Sequence, residues 1–110
     1  MTIEFKITKY DLQYFAFSGN ETDHTSKITF YNELNQKLGE ISFYKEGQTI
    51  PNNMTFPAKF FDQVLLRTTE NQMPGIVDML RNEKPCSVYY SSSTVAYIRT
   101  GTEPTGEDES

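Results

Sequence analysis

Only one stretch of this chain, TTENQMPGIVDMLRNEKP at 68–85, carries a helical period; most other apolar residues alternate or fall in short runs. A chain with one helix and many short alternating runs has to bury sheet faces against each other or against that helix. Within the helical stretch, Thr69 followed by Gln72 has the spacing of a capping box, and Glu70 in the first turn complements the helix dipole. Pro74 falls near the start, where a missing amide costs least. Met73, Ile76, Val77 and Leu80 form an i, i+3, i+4, i+7 apolar stripe. Pro85 disfavours helical geometry at Lys84, so the spacing predicts a helix over about 69–84. Arg81 and Lys84 lie in its last turn, where cations suit the carbonyl end. That position accounts for the charged cluster 81–84 as a helix end; the rival reading is a surface recognition patch.

Upstream, TIEFKITK at 2–9 puts Ile3, Phe5 and Ile7 on one face and Glu4 and Lys6 on the other. LQYFAFS at 12–18 reads as a second strand, with Tyr10-Asp11 as the tight connection between the two. Residues 19–26, GNETDHTS, lack apolar anchors and read as an exposed loop. The runs 27–33 and 38–46 read as a hairpin with Ile28, Phe30, Ile41 and Phe43 inward, and Gly39 marks a bulge or a close backbone approach. Residues 47–57, with Gly47, Pro51 and Pro57, read as a turn-rich connection. Residues 58–67 fit two readings, a helical stripe through Phe60, Phe61, Val64 and Leu65 or a buried strand through Val64-Leu65-Leu66; the adopted expectation is a short strand at 63–67. CSVYYS at 86–91 and TVAYIRT at 94–100 close the chain as a hairpin.

The expected architecture is therefore α+β: a mostly antiparallel sheet of six or seven strands, curled into a barrel or open sandwich, with the helix laid across its face or open end. Residues 1–100 are expected to form a single globular domain. The segment GTEPTGEDES at 101–110 has no apolar residue to offset ordering entropy and is expected to be a disordered acidic tail. Net charge is −5, but four of the fifteen acids lie in that tail, leaving eleven against ten Lys and Arg in the body. Neither part carries the basic field that nucleic-acid binding needs, so nucleic acid is disfavoured as a partner.

A single cysteine, Cys86, forms no intrachain disulfide and no thiolate cage; the N-terminus has no signal-like apolar run, and no stretch reaches membrane-spanning length. The chain is read as a cytoplasmic protein without a membrane span. No cofactor, metal site or catalytic residue is assigned. His24 is the one histidine, just after Glu21 and Asp23, too few ligands for a structural zinc site. Cys86 at a strand start reads as packing. Asp78, on the helix face opposite the apolar stripe, points to water.

The aromatic bias, seven Tyr and eight Phe with no Trp, is the remaining lead. With Ile and Phe inward, Tyr31 and Tyr44 are expected outward on one hairpin, in position to be cross-strand neighbours, while Tyr89 and Tyr97 lie on the strands of the final hairpin. The candidate interaction surface is Tyr31, Tyr44, Tyr89, Tyr97, Arg81 and Lys84. The favoured function is a non-enzymatic protein–protein interaction module acting as a homodimer, because tyrosine is enriched at interfaces. Two alternatives are kept: single-strand nucleic-acid binding on the sheet tyrosines, with Lys6, Lys9, Lys27, Lys45 and Arg99 as its cations, and a small-ligand binder or enzyme. The run from MLRNEKP through the tyrosine hairpin to RTGTEPTGE resembles the C-terminal part of a family of small bacterial proteins of unknown function. The resemblance covers about a third of the chain, implies no activity and transfers no catalytic residue.

Overall fold

In the computed structural model, which describes residues 2–15 and 24–100, the first alternating run breaks at Thr8 rather than at Tyr10-Asp11. The two halves, β1 (Ile3–Ile7) and β2 (Lys9–Tyr14), belong to different sheets. The alternation changes phase there: Ile3, Phe5 and Ile7 point inward from odd positions, while Tyr10 and Leu12 pack on the core from even ones. The Thr8 amide donates to the Tyr31 carbonyl at 2.9 Å and so starts the β2 ladder at the corner.

The other strands are β3 (Ser26–Tyr31), β4 (Lys37–Tyr44), β5 (Met54–Phe56), β6 (Gln63–Thr69), β7 (Cys86–Ser92) and β8 (Val95–Thr100), with α1 (Met73–Asn82) between β6 and β7. They form a three-stranded antiparallel sheet ordered β1-β7-β8 and a five-stranded sheet ordered β2-β3-β4-β6-β5. The second sheet is mixed, because β4 and β6 run parallel. This corrects the expected single curled sheet or barrel. Among the described residues there are two sheets and eight strands, and neither sheet is closed. Two local features separate expectation from observation. The corner at Thr8 sends the chain to a second sheet, and three residues of the turn-rich 47–57 segment pair with β6 as an edge strand.

Both expected hairpins are present. β3 and β4 are joined by a turn in which the Asn32 side chain accepts the amides of Leu34 and Gln36 at 2.9 and 3.0 Å. β7 and β8 pair from Cys86 opposite Thr100 to Ser92 opposite Val95, with a register shift between Tyr90 and Ser92. The ladder of β3 and β4 shifts register between Phe30 and Tyr31, with Gly39 opposite Phe30. Gly39 also faces Val64 on β6, and a Cβ there would lie 2.1 Å from the Val64 carbonyl oxygen. Only a residue without a side chain lets β6 approach β4 so closely.

The two sheets bury one face each. Ile3, Ile7 and Val88 meet Ile28, Phe30, Leu38, Ile41, Phe43, Val64 and Leu66 in one cluster. Ile28, Phe30, Phe43, Val64 and Val88 are fully buried, and each stabilises the fold by about 1.5–3 kcal/mol through apolar area removed from water. The α1 stripe of Met73, Ile76, Val77 and Leu80 packs partly buried on this cluster.

The helix is shorter than 69–84. Thr69 stays extended in β6, paired with Tyr44, and makes no side-chain cap. Its hydroxyl donates to the Asn71 side chain instead. A single 3-10 turn, Glu70–Gln72, precedes α1, with Pro74 in the first α-helical turn. At the other end Glu83 is extended and its amide closes on the Met79 carbonyl at 2.9 Å. The Lys84-Pro85 peptide is cis. The expected loop also ends early, since Ser26 opens β3 as a buried residue. Residues 19–23 and the acidic segment 101–110 lie outside the described residues.

Candidate functional site

The strand register divides the four tyrosines of interest into two unlike pairs. On the three-stranded sheet, Tyr89 faces Tyr97 and both point away from the core, flanked by Glu4 on β1. Their rings stack with centroids 4.6 Å apart and planes 15° apart, a geometry that contributes beyond area burial. In the next row Lys6, Ser87 and Arg99 are aligned. Ser87 is small, so the Arg99 guanidinium reaches diagonally across β7 to Glu4, with Nη2 at 2.7 Å and Nε at 3.1 Å from one carboxylate oxygen. The Glu4 hydrogen bond and charge raise the Arg99 pKa further above its ordinary value. Tyr97 and the neighbouring Val95 remain 44% and 48% exposed.

On the five-stranded sheet, Tyr31 and Tyr44 are not neighbours, which corrects the expected outward pair. Tyr31 lies opposite Lys37 at one end of the hairpin, while Tyr44 lies beyond the Ser26–Phe43 pair at the other. Nor is Tyr44 an exposed side chain: it is 6% exposed, with His24 5.6 Å away and Phe15 4.9 Å beyond His24. Its place in the sheet is past the end of β3, between residues 24–25 and β6.

Tyr31 is half-buried and donates to Asp11 at 3.0 Å. Burial, then the hydrogen bond and charge of Asp11, push its hydroxyl pKa above the ordinary value. The other Asp11 carboxylate oxygen is buried without a hydrogen-bond partner among the described residues. Alongside, Glu40 takes Lys37 at 3.0 Å and Lys27 at 3.5 Å. Burial pushes Glu40 upward, but the hydrogen bonds and charges of Lys37 and Lys27 outweigh it and hold the carboxyl below its usual range.

Arg81 and Lys84 are exposed, but they are not gathered with the tyrosines. Arg81 borders a hollow against Leu12, Tyr14 and Met73. Lys84 borders a cleft of about 470 Å³ with Lys6, Tyr10, Glu33, Leu80 and Cys86. At the base of that cleft Cys86 is buried, and its thiol donates to the Glu83 carbonyl at 3.3 Å. Burial and the Glu83 charge push the thiol pKa up, so Cys86 is protonated at neutral pH and packs as a small apolar group. Among the described residues no group of three or more His, Cys, Asp or Glu side chains is arranged to hold a metal, and no helix is long and apolar enough to cross a membrane.

Sequence reasoning missed the surroundings of β8. A groove of about 290 Å³ runs beside this strand, with Ile41, Leu66 and Ile76 in its lining and Ala96, Tyr97 and Ile98 along its β8 wall. The signal in the sequence was negative: VAYIRT carries no proline, lysine or acid to blunt an edge. Compared with known proteins, the chain matches no family model, no curated protein and no solved structure.

Proposed function

We propose that this protein is a non-enzymatic protein-contact module that works as a homodimer, with the outer face of the three-stranded sheet and its β8 edge as the contact surface. The observation that carries the reading is the stacked Tyr89–Tyr97 pair, held beside an exposed Val95 on an edge strand. Rigid aromatic surface of this kind contributes contact area at little conformational cost and is enriched at interfaces.

The same ring pair favours single-strand nucleic-acid binding as a second reading, since bases stack on aromatic platforms. Its electrostatics are poorer. Arg99 is already neutralised by Glu4, which leaves Lys6 as the one cation of the Lys6, Ser87 and Arg99 row without an ion pair among the described residues. A phosphate backbone needs several such cations along its track.

The test is native mass by light scattering over a wide concentration range, with a parallel titration of a labelled single-stranded oligonucleotide at low salt. A dimer with no oligonucleotide binding is the expected result. A monomer at every concentration would overturn the homodimer, and salt-dependent oligonucleotide binding would transfer the surface to the second reading.

A further inference from the structure

We infer that the second copy docks strand to strand, β8 against β8 in antiparallel register about a two-fold axis at Tyr97, so that the two three-stranded sheets join into one six-stranded sheet. This rests on the homodimer reading and specifies how it is built. The edges of the molecule differ in how they are protected. β5 has three residues and lies between Pro51 and Pro57, the short, proline-flanked design that prevents pairing. β1 bears Glu4 and Lys6, with Phe61 packed on its Phe5 at 5.0 Å. β2 bears Lys9 and Asp11. β8 has six residues, no proline and a single charge, Arg99, which is drawn back across β7 to Glu4. Among the described residues, Val95–Arg99 make no backbone hydrogen bond outside the β7 ladder. One flank of β8 therefore presents a row of backbone donors and acceptors, which a β-strand satisfies best.

A second copy fits that edge by shape and by charge. With Tyr97 facing Tyr97 of the second copy, the Tyr89–Tyr97 stack is continued as a row of four rings across the junction. Ala96 then faces the second copy's Ile98, a small residue against a large one, on the side where Ile41, Leu66 and Ile76 line the groove beside β8. The incoming inward side chains cover that apolar lining. Arg99, the one formal charge on β8, faces the second copy's Val95 and lies diagonal to Tyr97. The two arginines are thus at opposite ends of the junction, no like charges meet, and each guanidinium has an aromatic ring within diagonal reach. The Asn53 amide closes on the Ser93 carbonyl at 3.1 Å, which ends the available edge just before Val95.

The experiment is a charge swap at the two-fold position in the full chain. Tyr97→Lys and Tyr97→Glu each place two like charges face to face, and because Tyr97 is 44% exposed both variants are expected to fold, which a cooperative melting transition checks. Each variant alone is expected to sediment as a folded monomer where the native chain is a dimer, and their equimolar mixture is expected to recover the dimer mass. Single variants that remain dimeric overturn the β8 junction while leaving the homodimer standing, with the interface then sought elsewhere, for instance at the exposed Leu34 and Phe60. A mixture that stays monomeric overturns the face-to-face register. A native chain that is monomeric removes the homodimer itself. Amide exchange on the native chain gives a second readout that needs no variant: protection of β8 amides is expected to rise with protein concentration, and unchanged protection from dilute to concentrated solution overturns the junction.

Discussion

The outer faces of the two sheets are built from similar residues and end in opposite states. On the five-stranded sheet the polar groups are largely taken up by one another: Glu40 takes two lysines, one Asp11 oxygen takes Tyr31, and Thr29 and Ser42 are each only 4% exposed. On the three-stranded sheet, Arg99 and Glu4 pair, but the tyrosine stack beside them remains accessible and the strand that carries Tyr97 is an edge strand. Alternation decides which face a tyrosine occupies. Its cross-strand and diagonal partners decide whether it becomes structure or surface.

The harshest way to break this comparison is to damage what both faces share. Gly39 is where β4, β3 and β6 converge over the core, and an alanine there would bring its Cβ to 2.1 Å from the Val64 carbonyl oxygen and 2.7 Å from Val64 Cγ2. Backbone cannot yield as a flexible side chain does, so Gly39→Ala is expected to lower unfolding free energy by about 3 kcal/mol, the upper end of the overpacking range. Urea denaturation measures it. A loss below about 1 kcal/mol would mean that β4 and β6 separate at little cost, and that the five-stranded sheet is two weaker pieces.

Much of this architecture was legible in the residues. The inward set of Ile3, Phe5, Ile7, Ile28, Phe30, Ile41 and Phe43 followed from period two, and the α1 stripe followed from period 3.6. The corner at Thr8 was also written there, as the change from odd to even inward positions, but it reads as a second sheet only once the pairing partners are known. The parallel pairing of β4 with β6 was not legible, because it joins segments separated by a long connection and no local pattern encodes such a contact. β5 was hidden by its brevity and by prolines on both sides. For the candidate site, the placement of Tyr89 and Tyr97 on one hairpin followed from the sequence, and the register that sets them opposite each other did not. The separation of Tyr31 from Tyr44 did not, because one depends on the β3–β4 register and the other on neighbours at 24–25 and on β6.

A finer test removes one hydroxyl from the five-stranded face. In Tyr31→Phe, Asp11 loses its only hydrogen bond among the described residues while its other oxygen is already unpartnered. The expected cost is about 2 kcal/mol, the desolvation of a charged group left unmade. The alkaline side gives a signed check. The Tyr31 pKa is raised in the folded state, so its neutral form is favoured by folding. That contribution is complete below the unfolded tyrosine value of about 10 and is lost as pH rises through the folded value. The stability gap between the native chain and Tyr31→Phe is therefore expected to be constant at neutral pH and to narrow under alkaline conditions. A gap that widens with pH would show that the ionised hydroxyl is the favoured form, contrary to its acidic surroundings.

The same deletion on the other face is the smallest effect and the sharpest contrast. Among the described residues, the Tyr97 hydroxyl makes no hydrogen bond, and Tyr97→Phe keeps the ring that stacks on Tyr89. Its unfolding free energy is expected to change by less than about 0.5 kcal/mol, as for a surface substitution away from any network. Measured side by side under the same conditions, the two Tyr→Phe variants differ in chemistry only through their surroundings. A Tyr97 loss as large as that at Tyr31 would mean that its hydroxyl is held by a buried partner, and the outer face of the three-stranded sheet would then be a closed polar network like the other one. A near-zero loss leaves the ring, and not the hydroxyl, as what this face presents, which is the property an aromatic junction between two β8 strands requires.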